Sequence, residues 1–456
     1  MRIAVFPALS VAVIGAFSVA CIAAAQDDTS ALAGVGDAAD AAELVPAAAA
    51  GLPPFLPGEK AGARQQPPHD APPEQEPAAA PRLTGDWAGF RLQLEQSGVE
   101  FNGSLVTEWS VMFAGGVSGA GKSAFRHLLD MNAAFDLERI AGIKRGRAFL
   151  CFQNGDASVE GAQTGAWQAY SNIAIDGSIT QLSQAWYEQW FGDDLVRVKL
   201  GKVDANSEFA FIGAAAGFIN ASAGFSPAIF AFPTYPNPAT SVNIFVYPSK
   251  EFYAGVGVYD GASAVDGVQT GALGPGGFFS DSQSDDWFVI GECGVTAGDA
   301  RVAAGAWWHS GDFTRFSGGT EDGTAGAYAL AEARVWVPDG VDRANADDQR
   351  GLRCFLQCGF ADPEVSAVAS QFGAGAVLAG TFPGRDDDSV GLYASLVDFT
   401  DEPGAGFGAS EFVLELSYDI AITPWLHAKP DLQWFSNPAD GGDDALVGTI
   451  RFTIAF

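Results

Sequence analysis

The chain has 456 residues, of which 48% are hydrophobic and 17% charged, and its formal net charge is −31. A charged fraction below the roughly 25% of soluble domains leaves two ways to shelter apolar side chains, a large soluble core or strands that face lipid. The acid excess excludes nucleic acid as a partner, argues against a pore tuned for anions, and fits acidic loops in a saline medium.

Arg2 precedes an uncharged run, 3–25, and Ala23-Ala24-Ala25 stands before Gln26, the form of a cleaved export signal over 1–25. Cys21 falls inside it. Residues 26–81 form a Pro/Ala-rich stretch with ten prolines between Pro46 and Pro81. Such a segment buries too little apolar surface to offset chain entropy, which predicts a disordered, extended tether. In 82–98, Thr84 or Asp86 can cap a short helix carrying Phe90, Arg91 and Leu94, and Gly98 can end it.

From Val99 to Phe456 the period is two, the mark of half-buried strands. Sixteen runs stand out, beginning near Val99, Phe125, Arg147, Ile179, Leu195, Ser241, Glu251, Asp286, Arg301, Ala325, Arg350, Phe372, Ser389, Glu411, Trp425 and Asp444. Connections after odd-numbered strands are mostly long (154–178, 204–240, 260–285, 310–324, 436–444), and those after even-numbered strands mostly short (191–194, 248–250, 296–300, 421–424). The segment 338–349 breaks the rule. An even strand count with short turns at one end and long loops at the other predicts an all-β fold, a transmembrane antiparallel β-barrel of about 16 strands over 99–456. Cys354 and Cys358, about 13 Å apart on one strand, exceed the roughly 7 Å reach of a disulfide, so small apolar filler is the reading for the cysteines.

Several stretches in order resemble the OprB family of carbohydrate-selective porins. They are Leu83-Thr84-Gly85-Asp86-Trp87-Ala88-Gly89, Trp186-Tyr187-Glu188-Gln189, Pro233-Thr234-Tyr235-Pro236, Val258-Tyr259-Asp260-Gly261, Trp307-Trp308-His309-Ser310-Gly311-Asp312-Phe313 and Gly384-Arg385-Asp386-Asp387-Asp388. Near the end come Glu415-Leu416-Ser417-Tyr418, Thr423-Pro424-Trp425-Leu426, Pro430-Asp431-Leu432-Gln433 and Asn437-Pro438. Ala88 stands where a third glycine is more usual. The resemblance implies passive diffusion of neutral mono- or oligosaccharides through a sixteen-stranded barrel in the Gram-negative outer membrane. Lipid and the barrel assembly machinery are then partners, the latter through the terminal Phe456.

Alternation nominates pore-lining side chains. Val196, Val198 and Leu200 toward lipid turn Arg197 and Lys199 inward, and Val302, Ala304 and Ala306 outside place Arg301 and His309 inside. Glu332 and Arg334 oppose Ala329, Ala331 and Ala333, Glu415 opposes Leu414 and Leu416, and His427, Lys429, Asp431 and Gln433 share a face. Together they make a mixed-charge, hydrogen-bonding wall suited to polyols. The loop 204–240, with six phenylalanines, Tyr235 and four prolines, is expected to fold into the barrel mouth. Trp186, Trp190, Trp307, Trp308 and Trp434 read mostly as a membrane-interface girdle.

Three other classes compete with this reading. A hydrolase would need converging groups, and His309-Ser310-Gly311-Asp312 are neighbours at a strand end, better explained by turn chemistry. His69, His127, His309 and His427 show no metal-ligand spacing, so no cofactor is expected. A non-selective diffusion pore, or a structural barrel anchored through the tether, remain as alternatives.

Overall fold

A computed structural model describes residues 82–157, 161–175, 177–261, 286–341, 348–380, 382–407, 410–438 and 443–456. The expected export signal (1–25) and tether (26–81) lie outside the described residues. The strands are β1 Val99–Ala114, β2 Ser123–Asp136, β3 Gly146–Ala157, β4 Ser178–Phe191, β5 Val196–Val203, β6 Ala239–Val246, β7 Phe252–Asp260 and β8 Trp287–Ala297. They continue as β9 Ala300–Thr314, β10 Thr320–Trp336, β11 Gly351–Ala361, β12 Val368–Ala379, β13 Ser389–Phe399, β14 Ser410–Thr423, β15 Leu426–Ser436 and β16 Ala445–Ala455. Each pairs antiparallel with its chain neighbours, and β16 closes the barrel on β1.

The widest offsets from expectation are β10, expected near Ala325 and found from Thr320, and β12, expected near Phe372 and found from Val368. Register shifts at Asp322/Thr324 and Val368/Ser370 explain both, since a bulge interrupts the alternation that marks a strand. The expected long loop 310–324 is instead a tight connection, because Thr314, Phe313 and Asp312 pair with Thr320, Glu321 and Asp322.

Helix α1, Phe90–Gln96, starts at Gly89, whose φ of 87° favours glycine, and not at a side-chain cap. The Thr84 hydroxyl instead accepts from the Arg91 guanidinium at 3.1 Å, and the Asp86 carbonyl accepts the amides of Gly89 and Arg91. Helix α2, Leu137–Ala141, is capped by Asp136, which accepts the Glu138 and Arg139 amides. At the closing seam Gly103 and Phe456 exchange backbone hydrogen bonds of 2.9 and 3.0 Å, and Leu83 donates its amide to the Ala455 carbonyl. The Phe456 ring lies 2.3 Å from where a Gly103 Cβ would stand, so only glycine fits beneath it.

Outward positions carry exposed apolar side chains. Trp109, Phe125, Trp287, Trp308 and Trp434 lie toward the loop end; Phe101, Phe191, Phe252, Trp336 and Phe452 lie toward the turn end. Aliphatics such as Leu150, Leu200, Val302, Leu356 and Leu414 sit between. Two aromatic belts around an aliphatic band are the surface a bilayer requires.

Candidate functional site

Two segments between strands fold inside the barrel. The second, 204–238, is clipped at its base by Asp204, whose carboxylate accepts the Asn206 amide (2.9 Å), the Thr234 hydroxyl (2.6 Å) and the Tyr235 amide (3.3 Å). Two 3₁₀ turns, Ala205–Ser207 and Gly213–Ala215, and a short helix α3, Ala221–Gly224, carry it across the lumen. Its aromatics meet wall aromatics: Phe209 stacks on Phe245 at 5.1 Å, Phe218 lies 5.6 Å from Tyr393, and Phe232 lies 6.1 Å from Phe288. On β11, Gly359 leaves the space that Ser226 fills, its Oγ 2.1 Å from a notional Cβ. The first insert, 161–175, lies against the second; the Asn172 amide donates to the Ile219 carbonyl at 2.8 Å and that of Ala221 to Ala169 at 2.9 Å.

Carboxylates on the wall hold the backbone of both inserts. Glu292 on β8 accepts the Ala210 amide at 2.8 Å, and Glu332 on β10 that of Ala214 at 2.9 Å. On β14, Glu415 accepts Ile219 (2.7 Å) and Asn220 (3.0 Å), while Glu411 accepts Trp167 (2.8 Å) and Gln168 (2.9 Å). Glu108 on β1 accepts the Ser171 hydroxyl at 2.7 Å and pairs with Arg451. Most of these contacts are buried, where low local dielectric strengthens a hydrogen bond.

The nominated side chains fall into two groups. Buried behind the inserts are Glu415, Asp431 and Gln433, and His309 is buried nearer the loop end against Phe288 and Phe313. His309 contacts the Gly261 carbonyl at 2.9 Å and accepts the Gly311 amide; Gln433 donates to Tyr170 and Asp431. The neighbouring Ser310 bonds Asp286, and His309 and Ser310 take alternate faces of β9. Toward the turn end lie the others. Arg197 and Lys199 meet Glu188 and Glu208, Lys199 at 2.5 Å from Glu208. Arg301 pairs with Glu332 at 3.0 Å and reaches the Phe211 carbonyl; Lys429 lies 3.1 Å from Asp419 and 2.5 Å from the Gly217 carbonyl. Arg334 donates to the Asp348 carbonyl at 2.8 Å.

Sequence reasoning missed Glu108, Glu292 and Glu411 and the whole first insert. A signal was present only for Glu292, the one acid of apolar β8; Glu411 shares its face with Glu415 and Asp419, and Glu108 with Glu100. The girdle reading of the tryptophans holds for Trp308 and Trp434 but needs correction for three. Trp186 stacks on Phe149 at 5.0 Å with Lys199 Nζ 4.0 Å from its ring centroid, Trp190 donates to Glu188, and Trp307 is fully buried beside Phe288. A bulge between Cys151 and Phe152 of β3 and their β4 partners shifts the phase there. The turn-end half of the lumen mixes both signs: Arg147, Arg197, Lys199, Arg301, Arg334, Arg353 and Lys429 take inward positions among Glu188, Glu292, Glu332 and Asp419.

Residues 122–456 match the family described as carbohydrate-selective porin, OprB family. The chain is 21% identical to Porin B of Pseudomonas aeruginosa, covering 82% of this chain and 91% of that protein. It is 28% identical to "Putative porin QuiX" of Acinetobacter baylyi over 28% of this chain and 30% of that one. A high-pH structure of Pseudomonas putida OprB superposes with a TM-score of 0.72 at 19% identity, covering 83% of this chain and 99% of that one. A low-pH structure of the same porin gives 0.55 at 17% identity, covering 82% and 98%.

Proposed function

The chain belongs to the carbohydrate-selective porin, OprB family, and from that premise we infer that sugars cross the outer membrane through its lumen along the β3–β7 side, past Trp186. The barrel spans the outer membrane of a Gram-negative cell many times, with its short turns toward the periplasm and its long loops outside. Porin family membership makes it a channel.

One observation carries the choice of path. The β8–β13 side of the lumen is packed with insert aromatics, whereas Phe149, Trp186, Trp190, Tyr247 and Tyr253 on the opposite wall keep part of their surface exposed. Flat rings suit the apolar faces of a pyranose, and Arg197, Lys199, Glu188 and Glu208 beside them suit its hydroxyls. Arg301, Glu332, Arg334 and Lys429 belong to the wall the sugar meets on leaving the inserts. Glu415, Asp431 and Gln433 act behind the inserts, fixing the bore without touching sugar, and His309 ties β9 to Gly261 at the loop end.

Purified protein in liposomes tests this by swelling rates for glucose, larger sugars and amino acids of similar size. Faster glucose influx than that of a size-matched amino acid supports a carbohydrate path; rates ordered by size alone make it a general diffusion pore. No permeation from a folded barrel would revive the structural alternative.

A further inference from the structure

We propose that Arg334 and Arg353 form a binding station for the anionic group of an acidic sugar, a carboxylate or phosphate, so that the channel passes such sugars as well as neutral ones. The proposal rests on the sugar-porin reading of the lumen. The ladder between β10 and β11 sets Arg334 directly opposite Arg353. Both belong to the inward set: Glu332, two residues before Arg334, holds the Ala214 amide, and Gln357, four residues after Arg353, donates to the Ser222 carbonyl at 2.6 Å. Like charges directly opposed on antiparallel strands destabilise the pair unless an opposite charge joins them.

Most other inward cations of this half have a carboxylate within ion-pair distance: Arg197 and Lys199 have Glu188 and Glu208, Arg301 has Glu332, and Lys429 has Asp419, while Arg147 stands opposite Glu188 in the ladder. Arg334 reaches the Asp348 carbonyl and lies 3.9 Å from the Asp299 carboxylate at the periplasmic rim. Arg353 has no carboxylate within ion-pair distance among the described residues, and its partner on the far side, Val377, is apolar. The ladder slips immediately beyond Arg334, where Trp336 pairs with Leu352; bulges of this kind re-aim side chains at functional sites. Two guanidinium groups side by side, each a planar fork of donors, match the oxygens of a carboxylate or phosphate. They lie one step below the insert, where Arg301 and Glu332 hold Phe211 and Ala214. An anion that has passed the constriction therefore meets them before the mouth. The acidic balance of the whole chain hides this local excess of positive charge.

Proteoliposomes holding the intact barrel, their potential clamped with potassium and valinomycin, report uptake of radiolabelled glucuronate, glucose 6-phosphate and glucose. The expected result is glucuronate uptake comparable with that of glucose, reduced about tenfold by Arg353→Gln, with glucose uptake unchanged and Arg353→Lys, which keeps the charge but not the fork, between native and Arg353→Gln. A parallel loss for glucose 6-phosphate extends the station to any oxyanion; its absence restricts the station to carboxylates. Exclusion of glucuronate by the native channel, or equal uptake by native and Arg353→Gln channels, overturns the proposal and leaves the neutral-sugar path standing. Exclusion of glucose itself would instead strike the sugar-porin reading. Reversal potentials in a potassium chloride gradient then read the pair without sugar: a shift toward cations in Arg353→Gln supports it, and no shift overturns it. Heat-modifiable migration on gels confirms that both variants form barrels.

Discussion

Glu415 accepts a hydrogen bond of 3.0 Å from the backbone amide of Asn220, a residue 195 positions earlier in the chain. The other carboxylate oxygen takes the adjoining amide of Ile219. One side chain on the wall thus fixes the centre of the second insert. Replacing it by alanine strands two buried donors, at about 1–3 kcal/mol each. Glu415→Ala should therefore lower the urea midpoint of the barrel and give larger, noisier single-channel currents. Currents as quiet as native would mean that the insert keeps its position without this anchor.

Removing the insert tests the same idea more directly. Residues 213–230 hold Phe218 and Phe230, which pack against wall Phe355 and Trp307, and Phe225, which packs on Phe232 within the insert. Their deletion should widen the bore and raise single-channel conductance several-fold, with loss of discrimination by sugar size. Unchanged conductance would show that the insert does not set the bore.

Trp186 offers a selectivity test. Its ring stacks on Phe149 and lies under Lys199. Aromatic contacts of this kind contribute about 1 kcal/mol, so Trp186→Ala should lower the ratio of glucose to amino-acid influx about fivefold while barrel stability stays near native. Influx of both solutes changing in step would reassign Trp186 to packing.

The lipid face can be probed by charge. Ala329 lies at the middle of β10 on the outward face, and Ala300 begins β9 at the periplasmic rim. Ala329→Arg should destabilise the barrel by about 2–4 kcal/mol in refolding from urea into vesicles, and Ala300→Arg by about 0–1. Equal effects would contradict the placement of the membrane band.

Strand positions were legible because a lipid-facing wall enforces strict alternation. That one physical demand located β1, β13 and β16 to within a residue and faced Arg197, Arg301 and Glu415 correctly. It failed where alternation is interrupted, as at Asp322 and on β4 around Trp186. The roles of inward residues were less legible. Alternation tells that Glu415 and Arg197 share the lumen side, but not that an insert from elsewhere in the chain covers the first and leaves the second partly open. Glu411 and the first insert were missed for the same reason, since backbone amides that seek a carboxylate leave no trace in side-chain pattern. Net charge says little about the lumen, where Glu188, Glu292, Glu332 and Asp419 stand among Arg197, Lys199, Arg301 and Lys429.

The seam between β1 and β16 has a mechanical meaning. Leu83 bonds Ala455, Arg91 reaches the Phe101 carbonyl, and Phe456 lies over Gly103, so the first described residues and the last are fastened at one spot on the periplasmic rim. Tension on the chain upstream of Arg82 would run into this clasp and along the outer wall. The inserts are anchored to other strands and lie off that line of force, so the bore would keep its dimensions while the barrel was being pulled.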